Sequence, residues 1–174
     1  MKTRFMFIAA LLAIAAGVCA ASDSPPKTRG SIEEFKLYTK CLGVSPVVEY
    51  RSQNAEENGL KRKEIVAAVE SRLRSAGLHQ SSFFEFSEGT VVFLPHLYIH
   101  VNVIGQSYFV LLELKKWVHE PLSGQLNYSQ TWRTETSGIH GTSSRRILSS
   151  VRELTDQFID DWNKVNKPDG KCVE

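Results

Sequence analysis

Apolar and polar residues alternate most regularly between residues 96 and 117, HLYIHVNVIGQSYFVLLELKKW. Gly105 and Gln106 can form a two-residue turn, because glycine readily adopts the positive φ that a type II′ turn needs. One face of the resulting hairpin is apolar throughout, with the pairs Val103–Tyr108, Val101–Val110, Ile99–Leu112 and Leu97–Leu114. The other face carries the pairs Asn102–Phe109, His100–Leu111, Tyr98–Glu113 and His96–Lys115. Turn chemistry and alternation favour the same register, so the sequence predicts a β-hairpin here.

Two further segments have apolar residues at the three- and four-residue spacing of an amphipathic helix. The first spans residues 61–76 and is followed by Gly77, which suits a C-terminal cap. Its apolar face consists of Ile65, Val66, Val69, Leu73 and Ala76. The second spans residues 147–165, with the apolar stripe Ile147, Val151, Leu154, Phe158, Trp162 and Val165. Both patterns predict helices that pack one face against a core.

Shorter patterns complete the predicted fold. Residues 44–51 and 83–86 are typical of strands, and residues 31–40 have room for a short helix. Residues 126–134 predict another strand, with Leu126, Tyr128 and Trp132 on one side. The order of strand, helix, several strands and helix predicts a two-layer α+β sandwich. We expect a mainly antiparallel sheet of about four to five strands, with the two amphipathic helices on one face.

The N-terminus has the pattern of a secretory signal peptide. Lys2 and Arg4 precede the uncharged apolar run of residues 5–18, which is short for a membrane span, and small residues follow for cleavage after Ala20. Lipoprotein anchoring through Cys19 is disfavoured, because lipoprotein signals usually place glycine or alanine where Val18 stands. The sequence therefore predicts an exported protein, periplasmic or secreted.

The predicted organisation is a signal peptide over residues 1–20, a polar leader or linker over residues 21–40, and a single α+β domain over residues 41–174 with a short C-terminal tail. A chain of this length can bury a core of its own. Two cysteines remain after cleavage, Cys41 and Cys172. An oxidising compartment favours a disulfide between them over two free thiols.

The charge balance and the motifs exclude several function classes. The chain has 21 basic and 19 acidic residues, and two basic ones lie in the predicted signal, so the exported chain is formally neutral. Nucleic-acid binding normally needs a basic excess. The chain has no Gly-x-Ser-x-Gly nucleophile elbow. His96 and His100 are about 13 Å apart on a strand, too far for one zinc ion. We therefore expect no catalytic residue, no metal and no cofactor.

The loop before the second helix allows two interpretations. It contains small and hydroxyl residues followed by two arginines: Gly138, Gly141, Thr142, Ser143, Arg145 and Arg146. Free N–H groups at a helix N-terminus can hold an anion or a lipid headgroup, and cations in a first turn oppose the helix dipole and need a reason. Residues 61–63 place basic residues at the start of the first helix as well. The alternative is ordinary helix capping by Thr142 or Ser143.

The second face of the hairpin is the other candidate site. It mixes aromatic, apolar and polar residues: Tyr98, His100, Phe109, Leu111 and Trp117. If both helices cover the first face, this surface is either covered by the leader, the 78–95 segment or the 120–125 loop, or left for a partner.

Five segments together resemble a family of small exported bacterial proteins of unknown function. They are VAAVESRLRSAGL, LYIHVNV, YFVLLELKKWV, TWRTETSGIHG and ILSSVRELTDQFIDDWNKVN, and the resemblance covers roughly residues 42–166. More loosely, the layout is similar to the N-terminal α+β domain of the Tol-system propeller protein. The resemblance implies assembly and contact rather than catalysis, and brings no catalytic residues to transfer.

The sequence thus predicts a non-enzymatic exported domain that binds another cell-envelope component, in the first place a protein, through the hairpin's second face. The alternative is an anion or lipid-headgroup binder that uses the 138–146 loop at a membrane surface. A small hydrolase without a known motif is the weakest alternative. No nucleic acid is expected, and the oligomeric state does not follow from the sequence.

Overall fold

The computed structural model describes residues 32–52, 59–87, 89–141, 143–168 and 170–172. The predicted signal peptide, most of the predicted leader and Thr142 lie outside these residues. The elements in chain order are α1 (Ile32–Leu37), β1 (Ser45–Ser52), α2 (Arg62–Ser75), β2 (Phe84–Ser87), β3 (Thr90–Phe93), β4 (His96–Ile104), β5 (Ser107–His119), β6 (Leu126–Ile139) and α3 (Ser144–Asn166).

The main sheet has the order β1-β4-β5-β6, and β2 and β3 form a separate hairpin. The predicted hairpin is β4–β5, and its register is confirmed at every predicted pair, from Val103–Tyr108 to His96–Lys115. β5 and β6 are also antiparallel, whereas β1 runs parallel to β4. The crossover from β1 to β4 includes α2, as parallel pairing requires a long connection. The predicted α+β class is confirmed, with a mixed sheet.

The core lies between one face of the main sheet, here called the first face, and the helices α2 and α3. The first face contributes residues such as Ile99, Val101 and Leu112, which are fully or almost fully buried. From the helices, Ile65, Val69, Leu73, Ile147, Phe158 and Trp162 are buried in the same cluster. Each large apolar side chain removed from water contributes about 1.5–3 kcal/mol, so the stability of the fold resides mainly in this layer.

A β-bulge divides β6. Leu114 pairs with Trp132, but the next residue of β5, Lys115, pairs with Gln130, so Thr131 is extra. Because side chains alternate along a strand, the extra residue places the β6 side chains that precede it on the opposite face from the one that unbroken alternation would give. Tyr128 therefore shares the second face with Trp117, whereas Trp132 lies on the first face. The prediction that Leu126, Tyr128 and Trp132 lie on one side is wrong for this reason.

The segment around α1 is fastened to the domain, although residues 21–40 were expected to be a leader or linker. The last carbonyl groups of a helix lack partners within it. Here the donors are Lys116 Nζ to Phe35 O (2.6 Å) and Tyr38 O (2.7 Å), Thr131 Oγ1 to Lys36 O (2.7 Å), and Asn166 Nδ2 to Leu37 O (3.0 Å). Leu37 and Thr39 are consequently buried.

Asn166 also organises the chain that follows α1. Its Oδ1 accepts hydrogen bonds from the backbone N–H of Thr39 (2.9 Å) and of Cys41 (3.4 Å). Lys40 and Cys41 have φ angles of 52° and 58°, a region that non-glycine residues rarely adopt, and the buried network compensates for that strain. The predicted disulfide is confirmed: Cys41 is bonded to Cys172, with a Cα–Cα distance of 5.7 Å. The closed loop can add up to about 4–5 kcal/mol of stability in the chain-entropy model.

None of the helices in the described part of the chain is both long enough and apolar enough to cross a membrane.

Candidate functional site

The second face of the main sheet lacks a covering helix among the described elements, but the short β2–β3 hairpin leans against one end of it. The contacts are between aromatic rings. Phe83 lies edge-on to His96 with ring centroids 4.8 Å apart, and Phe93 lies against Trp117 at 5.5 Å. Trp117 in turn contacts Tyr128 at 5.4 Å. Hairpin and sheet thus enclose an aromatic surface between them.

A cleft of about 290 Å³ opens in this surface, and we call it the aromatic cleft. All of its lining residues carry rings: Phe83, Phe84, Phe93, His96, Tyr98, Trp117 and Tyr128. Phe83 and Phe93 are each 54% exposed, and Trp117 is 40% exposed. Large aromatic side chains gain the most free energy when they are removed from water. A cluster of them at one exposed place is therefore a feature of binding surfaces.

The polar atoms of the aromatic cleft are neutral. The Tyr128 hydroxyl lies 2.6 Å from Nδ1 of His96. Burial lowers the pKa of His96, and burial, followed by the neighbouring Tyr98, raises the pKa of Tyr128. We assign the neutral tautomer in which Tyr128 donates to Nδ1 and Nε2 carries the proton. Nε2 is buried without a hydrogen-bond partner among the described residues. The aromatic cleft therefore suits an uncharged, largely apolar group.

A second cavity, of about 390 Å³, lies beyond the Phe93–Trp117 pair. It extends below α1 and its walls include Phe35, Tyr38 and Lys116. Burial lowers the pKa of Lys116 to about 8. Its Nζ is already bound to two carbonyl oxygens of the α1 segment, so its first role is to hold that segment in place.

Charged residues cross the second face next to the aromatic cleft. His100 lies between two carboxylates, with Nδ1 3.2 Å from Glu49 and Nε2 3.4 Å from Glu113. Lys115 also pairs with Glu113, at 3.3 Å, and its ammonium lies 4.2 Å from the centre of the Tyr98 ring. No group of three potential ligand side chains that could hold a metal occurs in the part of the chain described.

The predicted hairpin-face residues are therefore distributed over three environments. Tyr98 and Trp117 line the aromatic cleft. His100 belongs to the charged band, and Leu111 pairs with it across the strands and is half-buried. Phe109, 36% exposed, lies towards the other end, opposite Asn102.

The 78–95 segment was one of the possible covers of this face, but sequence reasoning did not assign its residues Phe83, Phe84 and Phe93 to the site. β3 was not predicted, because its four residues TVVF show no clear alternation. A signal was present in the apolar residues on both sides of Gly89, which has a φ of 79°. Phe84 pairs with Phe93 across that hairpin.

The structure gives local roles to most of the predicted anion-loop residues. Gly138 lies against the Tyr108 ring, where an added Cβ would be 2.8 Å from the hydroxyl, and Gly141 has a φ of +61°. Arg146 Nη1 donates to the carbonyl oxygen of Ile139 (3.2 Å) and ties α3 to the end of β6. Ser143 stands at the N-cap but makes no side-chain capping bond, and Arg145 is exposed.

The basic start of α2 repeats this arrangement, because Arg62 Nε donates to the carbonyl oxygen of Val48 in β1 (2.9 Å). Each arginine thus attaches a helix start to the preceding strand. The groove between the two helices is lined by Glu64, Ala67, Ala68, Ser71, Arg72, Leu148 and Arg152 and does not include the residues of the predicted loop.

The hydrolase alternative requires a histidine beside a nucleophile. Three histidines with shielded ring nitrogens bind other groups: His79 faces Glu70 (3.7 Å), His96 faces Tyr128, and His140 Nε2 lies 3.0 Å from the carbonyl oxygen of Gly105. None of these described contacts involves a serine hydroxyl, so the geometry gives that alternative no support.

Comparisons with known proteins leave the site without a named relative. No family model matches the chain, and no curated protein matches it significantly. A solved structure titled "Crystal structure of uncharacterized protein" is 13% identical, covering 73% of this chain and 90% of its own, with a TM-score of 0.26.

Proposed function

We propose that this protein is a non-enzymatic exported domain that binds another protein of the cell envelope through the second face of its sheet, with the aromatic cleft as the anchor. The observation that carries the proposal is the clustering of exposed Phe83, Phe93 and Trp117 around a cleft lined entirely by rings. Rigid aromatic residues in a concave, desolvated setting are typical centres of protein interfaces.

The charges around the aromatic cleft support a protein as the occupant. The cleft itself is neutral and would accept an aromatic or aliphatic side chain. The adjacent band of Glu49, His100 and Lys115 offers both signs of charge, as the polar rim of an interface does. Leu111 and Phe109 would extend the contact along the sheet.

Export to the periplasm or cell exterior is part of the proposal. It is supported by the signal-like residues 1–20 and by the Cys41–Cys172 disulfide, a bond that persists in oxidising compartments. Membership in a family of small exported bacterial proteins of the assembly or contact kind is proposed on the same basis and on the sequence resemblance.

Site-specific photo-crosslinking in the native envelope tests this function. We would place the probe at Phe93 in the aromatic cleft and, as the control, at Arg152, which is exposed on α3 on the opposite side of the sheet. Discrete protein adducts from position 93, with position 152 silent, are the expected result. A probe at Phe109 then shows how far the contact extends along the face.

A third probe, at Arg146, tests the anion or lipid-headgroup alternative. Lipid adducts from position 146, with position 93 silent, would contradict the proposed function and favour the 138–146 loop. Silence at both positions in cells that contain the protein would also contradict it, since a bound partner must approach the rings closely.

A further inference from the structure

β5 extends beyond the strand that pairs with it on the side of β4. The β4–β5 ladder ends at the His96–Lys115 pair, whereas β5 continues to His119. On its other side β5 stays paired with β6 as far as the His119–Leu126 pair. Residues 116–119 therefore have one paired side and one unpaired side, and we call the unpaired side the open β5 edge.

The backbone groups that the open β5 edge presents follow from hydrogen bonds at both ends of β5. The carbonyl oxygen of Gln106 accepts from the N–H of His140 (2.9 Å), and the N–H of Glu120 donates to the carbonyl oxygen of Gln125 (2.8 Å). Even-numbered residues of β5 thus face β6 at both ends. The bulge lies in β6, so it leaves the phase of β5 unchanged. Because successive residues direct their backbone groups to alternate sides, the odd-numbered residues face the open side.

Within the open β5 edge the odd-numbered residues are Trp117 and His119. No described residue is hydrogen-bonded to their backbone groups on this side. They present two N–H donors and two C=O acceptors at the two-residue spacing of a strand. Unpaired groups at the edge of a sheet are a template for pairing with another strand.

The space beside the open β5 edge is the cavity of about 390 Å³. Lys116–His119 all line it, and its other walls come from the α1 segment and from the connection between β3 and β4. Its volume lies within the range of ligand pockets, about 300–1,000 Å³. Phe93 and Trp117 line both this cavity and the aromatic cleft, so the two adjoin.

Lys116 gives this cavity a positive charge. An ammonium group has three N–H donors, and two of them are bound to the carbonyl oxygens of Phe35 and Tyr38. Among the described residues, no carboxylate lies within ion-pair distance of this ammonium, and its third donor has no partner. A half-buried cation in this state favours an occupant that brings a negative charge.

We propose that the partner bound at the aromatic cleft adds an extended segment of its chain to the open β5 edge, as a short strand beside Trp117 and His119, with an acidic side chain directed at Lys116. The inference rests on the proposed function, since it requires a protein partner, and it specifies how that partner is held. In strand addition, main-chain hydrogen bonds supply affinity, and pockets for alternate side chains supply specificity.

Alternation along the added strand assigns its side chains. Residues paired across two strands have their side chains on the same face, so the residue opposite Val118 lies on the first-face side, beneath α1 and close to Lys116. This is the position of the acidic residue. The residue opposite Trp117 has its side chain on the second face, beside Phe93 and next to the aromatic cleft. The partner segment is therefore an acidic residue that follows or precedes an apolar one.

Two substitutions at His119 test the backbone pairing, in the photo-crosslinking experiment with the probe at Phe93. His119→Pro removes the outward N–H and places a ring where the added strand would lie. It leaves the ladder to β6 intact, because the bonds of that ladder use even-numbered residues of β5. His119→Ala is the matched control, since it removes the imidazole and keeps the N–H. We expect His119→Pro to lower the yield of protein adducts at least about tenfold, and His119→Ala to change it less than about twofold.

The charge is tested in the partner. Mass spectrometry of the adducts from a probe at His119, which is exposed, identifies the partner segment that lies beside the open β5 edge. We expect this segment to contain an aspartate or a glutamate. Its replacement by the corresponding amide should lower the adduct yield at least about tenfold, whereas the same change outside the segment should not. A segment without an acidic residue, or an unchanged yield, would overturn the assignment to Lys116.

The outcomes separate failure of the inference from failure of the proposed function. Adducts from Phe93 that persist in His119→Pro would overturn the inference and leave the proposed function intact. An unmodified chain without protein adducts from Phe93 would overturn both. Equal losses in the two His119 variants, or adducts between two copies of this chain, would also overturn the inference.

Circular dichroism and the melting temperature show whether His119→Pro folds. If it does not, amide hydrogen exchange in the unmodified full chain decides instead. The identified partner segment, added as a capped peptide, should slow exchange at Trp117 and His119 at least about tenfold, because their N–H groups become hydrogen-bonded. Unchanged exchange at both residues with the peptide bound would overturn the inference.

Discussion

Two tryptophans on opposite faces of the same sheet show how this protein divides its roles. Trp132 is 8% exposed and packs edge-on against Phe158 of α3, with ring centroids 5.3 Å apart. Trp117, on the second face, is 40% exposed and contacts Phe93 and Tyr128 instead. The first face is closed by long helices, whereas one end of the second is covered by a hairpin of two four-residue strands. Stability therefore resides mainly on one side, and the other is the side for which we propose binding.

The comparison can be tested most strongly at Trp132. Replacement by alanine should lower the free energy of unfolding by about 3–5 kcal/mol, because it opens a cavity between β6 and α3. Denaturant unfolding of both proteins, monitored by circular dichroism, measures the difference. A loss below about 1 kcal/mol would contradict the assignment of the stabilising core to the first face.

Asn166 tests whether the core also depends on the network that fixes the α1 segment. Asn166→Ala removes the acceptor of the Thr39 N–H and the donor to the Leu37 carbonyl, and leaves both buried without partners. We expect a loss of about 1–3 kcal/mol in the free energy of unfolding. Asn163→Ala, at a half-buried position one turn earlier, is the control and should change stability much less. Equal effects would mean that the network contributes little.

The parts of the fold that sequence could predict are those set by local patterns. The β4–β5 register followed from Gly105 and strict alternation, and the helices from their spacing. The bulge at Thr131 could not be predicted: Gln130 interrupts the apolar series of Leu126, Tyr128 and Trp132, but one polar residue in a series does not indicate that an extra residue has been inserted. A bulge is chosen by how strands fit in three dimensions, which no local pattern records.

The candidate site was predictable only in part, for a similar reason: two of the seven residues that line the aromatic cleft were predicted as site residues. Tyr98 and Trp117 follow from the hairpin register. The contribution of Phe83 and Phe93 depends on a second hairpin folding back over the sheet, which is a tertiary event. The clamp of α1 by Lys116 and Asn166 joins residues far apart in the chain and was equally hidden.

Trp117→Ala sharpens the contrast with Trp132. Because Trp117 is partly exposed and its neighbours are other surface rings, its removal should cost no more than about 1 kcal/mol of stability. The same variant should lose the protein adducts expected from a probe at Phe93. Retained adducts would separate the aromatic cleft from binding, whereas a loss of stability equal to that of Trp132→Ala would remove the distinction between the faces.

Lys116 gives the smallest and most selective test, because it places a charge at the end of the mostly apolar first face, beneath α1. Its folded pKa of about 8 is below the ordinary 10.5, and burial is the cause. Between these values the unfolded chain binds more protons than the folded one, so the free energy of unfolding should increase as pH rises from 8 towards 10.5. Other groups also titrate in this range, so the informative quantity is the difference from Lys116→Met.

The free energy of unfolding of the unmodified protein, relative to that of Lys116→Met, should increase as pH rises. Methionine has no proton to lose and cannot donate to the α1 carbonyls. Neutral lysine still has two N–H donors for the Phe35 and Tyr38 oxygens, so deprotonation removes the burial penalty without removing the contacts. Lys115→Met, on the second face, is the matched control. A difference that is constant or shrinks with pH would mean that the Lys116 ammonium is better solvated than its position beneath α1 indicates.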